Sequence, residues 1–225
     1  MCKFPAGDQF NSAAAGRSSA NTASSEANTS AGIEMPVNSL ISPIVSPLPR
    51  SFYSLDAAAV ARDLLGKIIL HRIGQSQVCA RIVETEAYVQ TYLRQPDLAA
   101  HSAAGITPRT RVIFGPPGHA YVYLSYGVHH CLNIVAEPEG TPGCVLIRAV
   151  EPISGIALPT NGPGKLTRAL GITLKHYGRD LTQGDFILFD APPPDEIRTT
   201  RRIGISKSPD FPLRFHIAGN PHVSR

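Results

Sequence analysis

Residues 81–88 read Arg-Ile-Val-Glu-Thr-Glu-Ala-Tyr, a stretch rich in β-branched residues that predicts a strand of the domain's sheet. Side chains alternate along an extended strand, so the even-numbered residues are expected to share one face: Ile82, Glu84, Glu86 and Tyr88. Carboxylates are costly to hold on a packed sheet face unless another group pairs with them or uses them. A lone glutamate in a strand is usually a salt-bridged residue on a solvated face. Two glutamates beside an aromatic ring make a catalytic role more plausible.

Composition separates the chain into two parts. Residues 11–30 are almost entirely Ala, Ser, Asn, Thr and Gly, and residues 36–49 add four prolines without a helical or strand period. We therefore predict a disordered arm over residues 1–49 and a single domain over residues 50–225, whose length of about 175 residues suffices for one core. The arm lacks the apolar core of a signal peptide and the many cations of a transit peptide, and no later segment is apolar enough to span a membrane.

Charge and cysteine content narrow the class of protein. The chain has a formal net charge of +4 and the arm contributes only Lys3 and Arg17 as cations, so the domain is moderately basic, which suits a polyanionic partner. Many soluble domains are equally basic, so charge alone makes a nucleic acid plausible and no more. The four cysteines show neither a Cys-x-x-Cys spacing nor a matching histidine pair, and we interpret them as reduced intracellular thiols: Cys2, Cys79, Cys131 and Cys144.

The domain sequence alternates β-rich runs with turns. Residues 55–65 have apolar residues at helical spacing and predict a helix that ends at Gly66. Residues 67–72 and 79–88 predict two adjacent antiparallel strands. Residues 89–117 form a connection that is too long to be idle in a compact domain, so we expect it to carry function.

A β-hairpin is predicted over residues 120–135, with Tyr126 at its tip. An aromatic ring at an exposed turn is a poor choice for solubility, which makes Tyr126 a candidate for insertion into a partner. Three further elements are predicted: a strand over residues 143–151, a helix from about Gly164 and a last strand over residues 213–218.

The chain resembles the alkyladenine (3-methyladenine) DNA glycosylases over most of its length after about Leu55. The blocks that carry the resemblance occur in the family's order and near its spacing: Ala-Arg-Asp-Leu-Leu-Gly at 61–66, the stretch at 81–88, Ala-His-Ser at 100–102, Thr-Pro-Arg-Thr-Arg at 107–111, Tyr-Val-Tyr-Leu-Ser-Tyr-Gly at 121–127, Leu-Asn at 132–133, Leu-Ile-Arg-Ala-Val-Glu-Pro at 146–152, Gly-Pro-Gly-Lys-Leu at 162–166, Arg-Asp-Leu at 179–181 and Pro-Leu-Arg-Phe at 212–215. The resemblance implies an α+β fold, a single domain around a curved, mainly antiparallel β-sheet with flanking helices and a protruding β-hairpin.

The resemblance also implies a base-excision-repair enzyme that flips alkylated or deaminated purines out of duplex DNA and hydrolyses the N-glycosidic bond. Glu86 matches the general base that deprotonates the attacking water, and Arg148 matches the residue that helps to position this water. Tyr126 matches the intercalating residue that fills the space left by the flipped nucleotide. Glu84, by its family position, is not catalytic, and we interpret it as structural.

Four residues match the family's base pocket: Tyr88, His101, Tyr123 and Asn133. Rings above and below a flipped base favour electron-poor, alkylated purines through stacking and cation–π attraction. Asn133 matches the residue that crowds the exocyclic amine of guanine. Ordinary hydrogen bonding at strand ends is the alternative role for Asn133 and Arg148.

Candidates for contacts to DNA phosphates are Arg109, Arg111 and Lys165, for each of which solvated surface charge is the alternative. The adjacent pair His129-His130 is no metal site, because consecutive strand residues face opposite ways, and no metal or organic cofactor is implied. The expected partner is double-stranded DNA containing damaged purines, with no membrane association. We expect a monomer that is intracellular and located with DNA, in a bacterial nucleoid or a eukaryotic nucleus.

Two other functions remain open from the sequence. A non-catalytic nucleic-acid-binding domain of the same fold would need neither Glu86 nor Arg148. A bifunctional glycosylase and lyase would need an amine nucleophile such as Lys165, although a helix start favours phosphate contact or packing for this residue. Residues 89–98 are less acidic than the family pattern and contain Arg94, which leaves the preferred lesion open.

Overall fold

The structure, a computed structural model, describes residues 46–224. Within that range three α-helices form: α1 (Arg50–Tyr53), α2 (Ala57–Asp63) and α3 (Pro163–Ala169). The strands in chain order are β1 (Ile68–Ile73), β2 (Ser76–Tyr88), β3 (Thr91–Tyr92), β4 (Gln95–Pro96), β5 (Ala120–Ser125), β6 (His129–Ala136), β7 (Gly143–Ser154), β8 (Phe186–Phe189), β9 (Ile197–Thr200) and β10 (Arg214–Ile217).

Eight of these strands form one curled sheet in the order β5-β6-β7-β2-β1-β8, and β10 pairs with both β2 and β9. The strand pairs of the sheet are antiparallel. The twist of antiparallel strands curls the sheet into a half-barrel, with few helices around it. The predicted α+β fold around a curved, mainly antiparallel sheet is confirmed, and β5 and β6 form the predicted hairpin.

Strand β2 is the centre of the sheet and contains a β-bulge. Ile82 of β2 pairs with Val150 of β7, and Glu84 pairs with Ala149, the next residue along β7. Val83, between Ile82 and Glu84, therefore has no pairing partner on β7. An extra residue in one strand reverses the faces of the residues that follow it. Ile82 accordingly lies in the same buried cluster as Ala87, and the prediction that Ile82 shares a face with Glu84 is wrong.

Helix α2 covers the core face of β2. It starts at the N-cap Asp56, whose Oδ1 accepts hydrogen bonds from the backbone N–H groups of the first turn, and it buries Val60 and Ala61. The hydroxyl of Thr85 donates to the carbonyl oxygen of Ala61 at 2.7 Å, which ties the helix to the strand. The predicted helix over residues 55–65 is confirmed with shorter bounds, and Glu84 and Glu86 are left on the other face of the sheet.

The long connection over residues 89–117 is ordered by local structure. It contains the small hairpin β3–β4 and two 3-10 turns, His101–Ala104 and Arg111–Phe114. Ile113 of the second turn packs into a small buried cluster with Tyr121 and Cys144, separate from the main core. The loop therefore covers the face of the sheet that carries the two glutamates.

Two of the four cysteines, Cys131 and Cys144, are free and buried, as the prediction of reduced thiols requires. Cys2 lies outside the described residues, as does all of the predicted arm except its last four residues, among which Leu48 is buried. No helix of residues 46–224 is both long and apolar enough to cross a membrane.

Candidate active site

Glu86 lies on β2 with a fully buried side chain. Its Oε1 accepts a hydrogen bond from the backbone N–H of Ile203 at 2.7 Å and lies 3.3 Å from Nη1 of Arg148. Its Oε2 accepts one from the hydroxyl of Tyr88 at 3.0 Å. A carboxylate has about four lone-pair positions, so Oε2 keeps one acceptor position for a further donor. Burial raises the pKa of Glu86 above its usual value, against the opposing effects of Arg148 and the two hydrogen bonds.

Arg148, on β7, joins Glu86 to a second buried carboxylate. Its Nε donates to Oε1 of Glu84 at 3.0 Å. Glu84 also accepts from Nε of Arg214 at 2.7 Å and from the hydroxyl and backbone N–H of Ser224 at 2.8 and 2.7 Å. Burial by itself would raise the pKa of Glu84, but the hydrogen bonds from Ser224 and Arg214 and the charge of Arg148 outweigh it and lower this pKa. The pKa values of the two carboxyls thus move in opposite directions, the pattern that separates a proton acceptor from a permanent anion.

Tyr88 rests on a buried cation. The guanidinium of Arg202 lies 4.7 Å from the centroid of the Tyr88 ring, a cation–π contact, and both carboxylate oxygens of Asp97 hold this guanidinium. Burial and the neighbouring charge of Glu86 raise the pKa of Tyr88 above its usual value. Its hydroxyl therefore stays protonated and keeps donating to Glu86.

His101 belongs to an aromatic cluster with Tyr121 and Tyr123. Its Nδ1 lies 2.9 Å from the hydroxyl of Tyr121, and its ring centroid lies 4.7 Å from that of Tyr123. Nη2 of Arg109 lies 3.3 Å from Nε2 of His101, and the guanidinium lies 4.8 Å from the Tyr123 centroid. Because arginine can only donate, Nε2 accepts and Nδ1 carries the proton. Burial, followed by the charge of Arg109, lowers the pKa of His101 to about 4, so the ring is neutral at neutral pH.

One row of residues runs across the sheet through the catalytic candidate. The pairings across β10, β2, β7, β6 and β5 give the row Arg214, Glu86, Leu146, Asn133 and Tyr121. Directly paired residues of antiparallel strands point to the same face. Neighbouring strands lie about 4.8 Å apart, so the backbones of Glu86 and Asn133 are separated by about 10 Å, with Leu146 between them in the row.

Asn133 is 3% exposed and held from two sides. Its Nδ2 donates to the carbonyl oxygen of Tyr121 at 3.2 Å, and the thiol of Cys144 lies 4.0 Å from its Oδ1. These contacts fix which end of the amide points to β5 and which to β7.

Tyr126 lies at the tip of the β5–β6 hairpin and is 95% exposed. Three residues, 126–128, connect the paired Ser125 and His129, and the backbone N–H of Val128 donates to the carbonyl oxygen of Ser125. The two central residues of this turn, Tyr126 and Gly127, are left-handed, with φ angles of 49° and 71°. Val128, next in the chain, is 68% exposed. The hairpin thus presents a large ring and an aliphatic side chain to solvent on a rigid support.

The remaining predicted residues are surface cations. Arg111 is exposed in the second 3-10 turn, and Lys165 is exposed on α3, where its Nζ donates to Oδ1 of Asn161 at 3.1 Å. The structure therefore brings Glu86, Arg148 and Tyr88 together through one ion pair and one hydrogen bond, and Arg109 into contact with His101 and Tyr123. It gives no such link to Lys165 within the described range.

Sequence reasoning missed the residues that support this group: Asp97, Arg202, Ile203, Arg214 and Ser224. Each is far from its partner along the chain, and no local motif announces the contact. Arg202 is part of the adjacent pair Arg201-Arg202; arginines are mostly exposed in folded proteins, whereas Arg202 is 5% exposed. Within residues 46–224, no group of three or more histidine, cysteine, aspartate or glutamate side chains is placed to hold a metal ion.

Comparison with known proteins finds one matching family model and several similar chains. The family model of methylpurine-DNA glycosylases matches residues 51–221. A protein of Anaeromyxobacter dehalogenans named "Putative 3-methyladenine DNA glycosylase" is 49% identical over 183 residues, covering 79% of this chain and 85% of the relative. Proteins of the same name from Koribacter versatilis and Legionella pneumophila are each 45% identical, covering 84% and 79% of this chain and 98% of the respective relative.

Proposed function

The chain belongs to the methylpurine-DNA glycosylase family, and from this premise we propose that it flips alkylated or deaminated purines out of duplex DNA and hydrolyses their N-glycosidic bond with a water activated by Glu86. As a member of that family it is a DNA glycosylase of the 3-methyladenine type, a hydrolase of DNA repair. The flipping step, the lesion class and the role of each residue are the parts that we propose.

The observation that carries the proposal is the buried contact of Glu86 with Arg148 and Tyr88. Two hydrogen bonds, from Ile203 and Tyr88, and the ion pair with Arg148 hold the carboxylate in place and leave one acceptor position on Oε2. Glu86 takes a proton from water as the water oxygen attacks the anomeric carbon, the glycosidic bond breaks, and the base departs with the bonding electrons. The negative charge of Glu86 also stabilises the oxocarbenium-like transition state.

The aromatic cluster supports a purine as the flipped base. The rings of Tyr88, His101 and Tyr123 offer faces on which a base can stack, and stacking favours electron-poor alkylated purines. His101 is neutral because its pKa is lowered to about 4, so it does not repel a cationic base through its own charge. Asn133 crowds the exocyclic amine of a normal guanine and thereby disfavours it.

Tyr126 is the proposed wedge. Flipping a nucleotide costs a few kcal/mol of unstacking and unpairing, and a ring that enters the vacated space offsets part of this cost. Its 95% exposure at the tip of the hairpin supports insertion, because no protein contact must break. Arg111 and Lys165 are proposed phosphate contacts, and Arg109 is proposed to contact the strand at the pocket mouth. The protein works as a monomer on DNA inside the cell.

The two rival functions predict different reactions. A binding module would need no buried carboxylate beside an arginine, and such a group is expensive to bury without use. A lyase would use an amine nucleophile, for which Lys165 is the candidate, but this residue is exposed and donates to Asn161. The exposed position of Lys165 therefore favours water over an amine as the nucleophile.

Duplex DNA with a single hypoxanthine or 1,N6-ethenoadenine tests the function. The parent protein and the Glu86→Gln variant are incubated with labelled duplex, and abasic sites are scored by alkaline cleavage. Glu139→Gln, the same substitution at an exposed carboxylate, is the matched control. We expect cleavage by the parent and the control and none by Glu86→Gln.

Two other outcomes of these assays would support the two rival functions. Tight lesion binding without cleavage by any of the three proteins, repeated on methylated genomic DNA, would support a binding module. Covalent trapping of the parent on DNA by borohydride, lost in Lys165→Ala, would support a lyase.

A further inference from the structure

Behind the proposed catalytic pair lies a second group of contacts that the mechanism does not use. Nε of Arg148 donates to Glu84, Nη2 donates to the hydroxyl of Ser224 at 3.3 Å, and Nη1 faces Glu86. The hydroxyl of Ser224 in turn donates to Oε1 of Glu84 at 2.8 Å, and its backbone N–H donates to Oε2 at 2.7 Å. Glu84 is fully buried and Ser224 is 8% exposed.

From these contacts we infer that Glu84 and Ser224 are positioning residues, which fix the guanidinium of Arg148 so that Nη1 stays beside the Glu86 carboxylate. The inference rests on the proposed function. Neither residue touches the substrate in this scheme; both act through Arg148. Ser224 lies 140 residues from Glu84 along the chain, so the last described residue belongs to the site.

The planarity of arginine makes this arrangement effective. A guanidinium is a rigid fork, so two fixed nitrogens determine the position of the third. Glu84 fixes Nε and Ser224 fixes Nη2, which leaves Nη1 no freedom to leave Glu86. A single partner would allow the fork to rotate about that contact and would not define the geometry of the water site.

The Ser224 hydroxyl suits this task because it donates and accepts at once. Its one proton goes to Glu84 and its lone pair receives the Nη2 proton of Arg148. Alanine at this position leaves a buried donor and a buried acceptor each short of one partner, while the backbone N–H contact to Glu84 remains. Threonine keeps the hydroxyl and both hydrogen bonds.

The charges around Glu86 give the inference a specific readout. The titratable and charged groups facing Glu86 are Arg148 from β7, Tyr88 from its own strand and, one contact further, Glu84 with Arg214. Arg148 is its nearest cation. If Arg148 is released, the carboxylate loses this stabilisation, and excision then requires a higher pH to keep Glu86 ionised.

The test compares single-turnover excision by the parent, Ser224→Ala, Ser224→Thr and the exposed-serine control Ser51→Ala, on a duplex with one N-methylated purine and from pH 5 to 9. We expect the Ser224→Ala rate at neutral pH to fall about tenfold or more, with the acid limb displaced to higher pH, because hydrogen bonds to charged groups are lost. Lesion binding should change by less than about twofold, since no contact to the base is removed. Ser224→Thr should recover most of the rate.

Glu84→Gln is the second variant. Its amide would turn an N–H towards the Ser224 N–H, so we expect at least the same loss of rate and the same shift of the acid limb. Thermal denaturation of each variant confirms that it is folded. An active parent with an unchanged rate and pH profile in folded Ser224→Ala would overturn the inference and leave the function intact. A parent that excises no base would overturn both.

Discussion

Arg202 and Asp97 form a two-pronged ion pair with no exposure to solvent, although they are 105 residues apart in the chain. Nη1 of Arg202 lies 2.6 Å from Oδ2 of Asp97, and Nη2 lies 2.7 Å from Oδ1. Asp97 begins the segment that leads to His101, and Arg202 precedes Ile203, whose N–H binds Glu86. The pair therefore joins the pocket loop to the C-terminal segment directly beneath Tyr88.

We predict that Arg202→Ala destabilises the protein severely. Removing one partner leaves the carboxylate of Asp97 buried and unpaired, a change that typically costs about 3–5 kcal/mol. The free energy of unfolding, measured by urea denaturation, should fall by this amount. The adjacent Arg201→Ala is the matched control, because its ion pair with Asp210 is mostly exposed, and we expect a change of about 0.5 kcal/mol or less. Equal effects of the two substitutions would contradict a structural role for the buried pair.

The pH dependence of excision should report the ionisation of Glu86. Burial raises the pKa of this residue above the ordinary 4.5, and a general base acts only when ionised, so the acid limb should have its midpoint above pH 4.5. A cationic N-methylated purine is the substrate of choice, because its departure needs no proton. Single-turnover rates across pH give the midpoint, and a midpoint at or below pH 4.5 would exclude Glu86 as the titrating base.

Acid should also destabilise the fold through His101. Its pKa is about 4 in the folded protein and about 6.5 in an unfolded chain, so the unfolded state binds the proton more tightly. The stability contribution of His101 is complete above pH 6.5 and is lost progressively as the pH falls toward 4. At pH 5.5 the two pKa values alone give a loss of about 1.4 kcal/mol, and solvent screening around this partly exposed ring reduces it to roughly 1 kcal/mol.

Urea denaturation of the parent and of His101→Gln at pH 7.5, 6.5 and 5.5 checks this expectation. The difference in unfolding free energy between the two proteins should shrink by roughly 1 kcal/mol from the highest to the lowest pH, because glutamine does not titrate. The titration of carboxylates changes the free energy of unfolding equally in both proteins, so this effect cancels in the difference. A difference that does not vary with pH would show that His101 is not held neutral by its surroundings.

The elements with strong local signals could be predicted from the sequence. The helix that became α2 has apolar residues at helical spacing and a terminal glycine, the β5–β6 hairpin has two β-rich runs that meet near Tyr126, and Glu86 and Arg148 lie in recognisable blocks. Each signal is local, so it does not depend on how distant segments meet.

The bulge at Val83 and the supports of the site could not be predicted in the same way. Alternation along β2 looks regular in the sequence, and only pairing with β7 reveals the extra residue. Arg202 and Ser224 gain their roles from burial against partners on other strands, which composition and spacing do not encode. Glu84 is interpreted as structural from its position in the family pattern, and that position gives no sign of its contact with Arg148, the ion-pair partner of Glu86.

Tyr126→Ala should slow excision from duplex DNA without affecting stability. The side chain is 95% exposed, so the melting temperature should not change beyond error. Without the ring, nothing replaces the stacking that the flipped nucleotide loses, a contribution of about 1–3 kcal/mol. We therefore expect the rate of excision to fall about tenfold to a hundredfold. A lesion in single-stranded DNA leaves no vacated stack to fill, so parent and variant should differ much less there. Tyr126→Phe keeps the ring and should behave like the parent. An equal loss on single-stranded and duplex substrates would assign Tyr126 to general DNA contact instead of insertion.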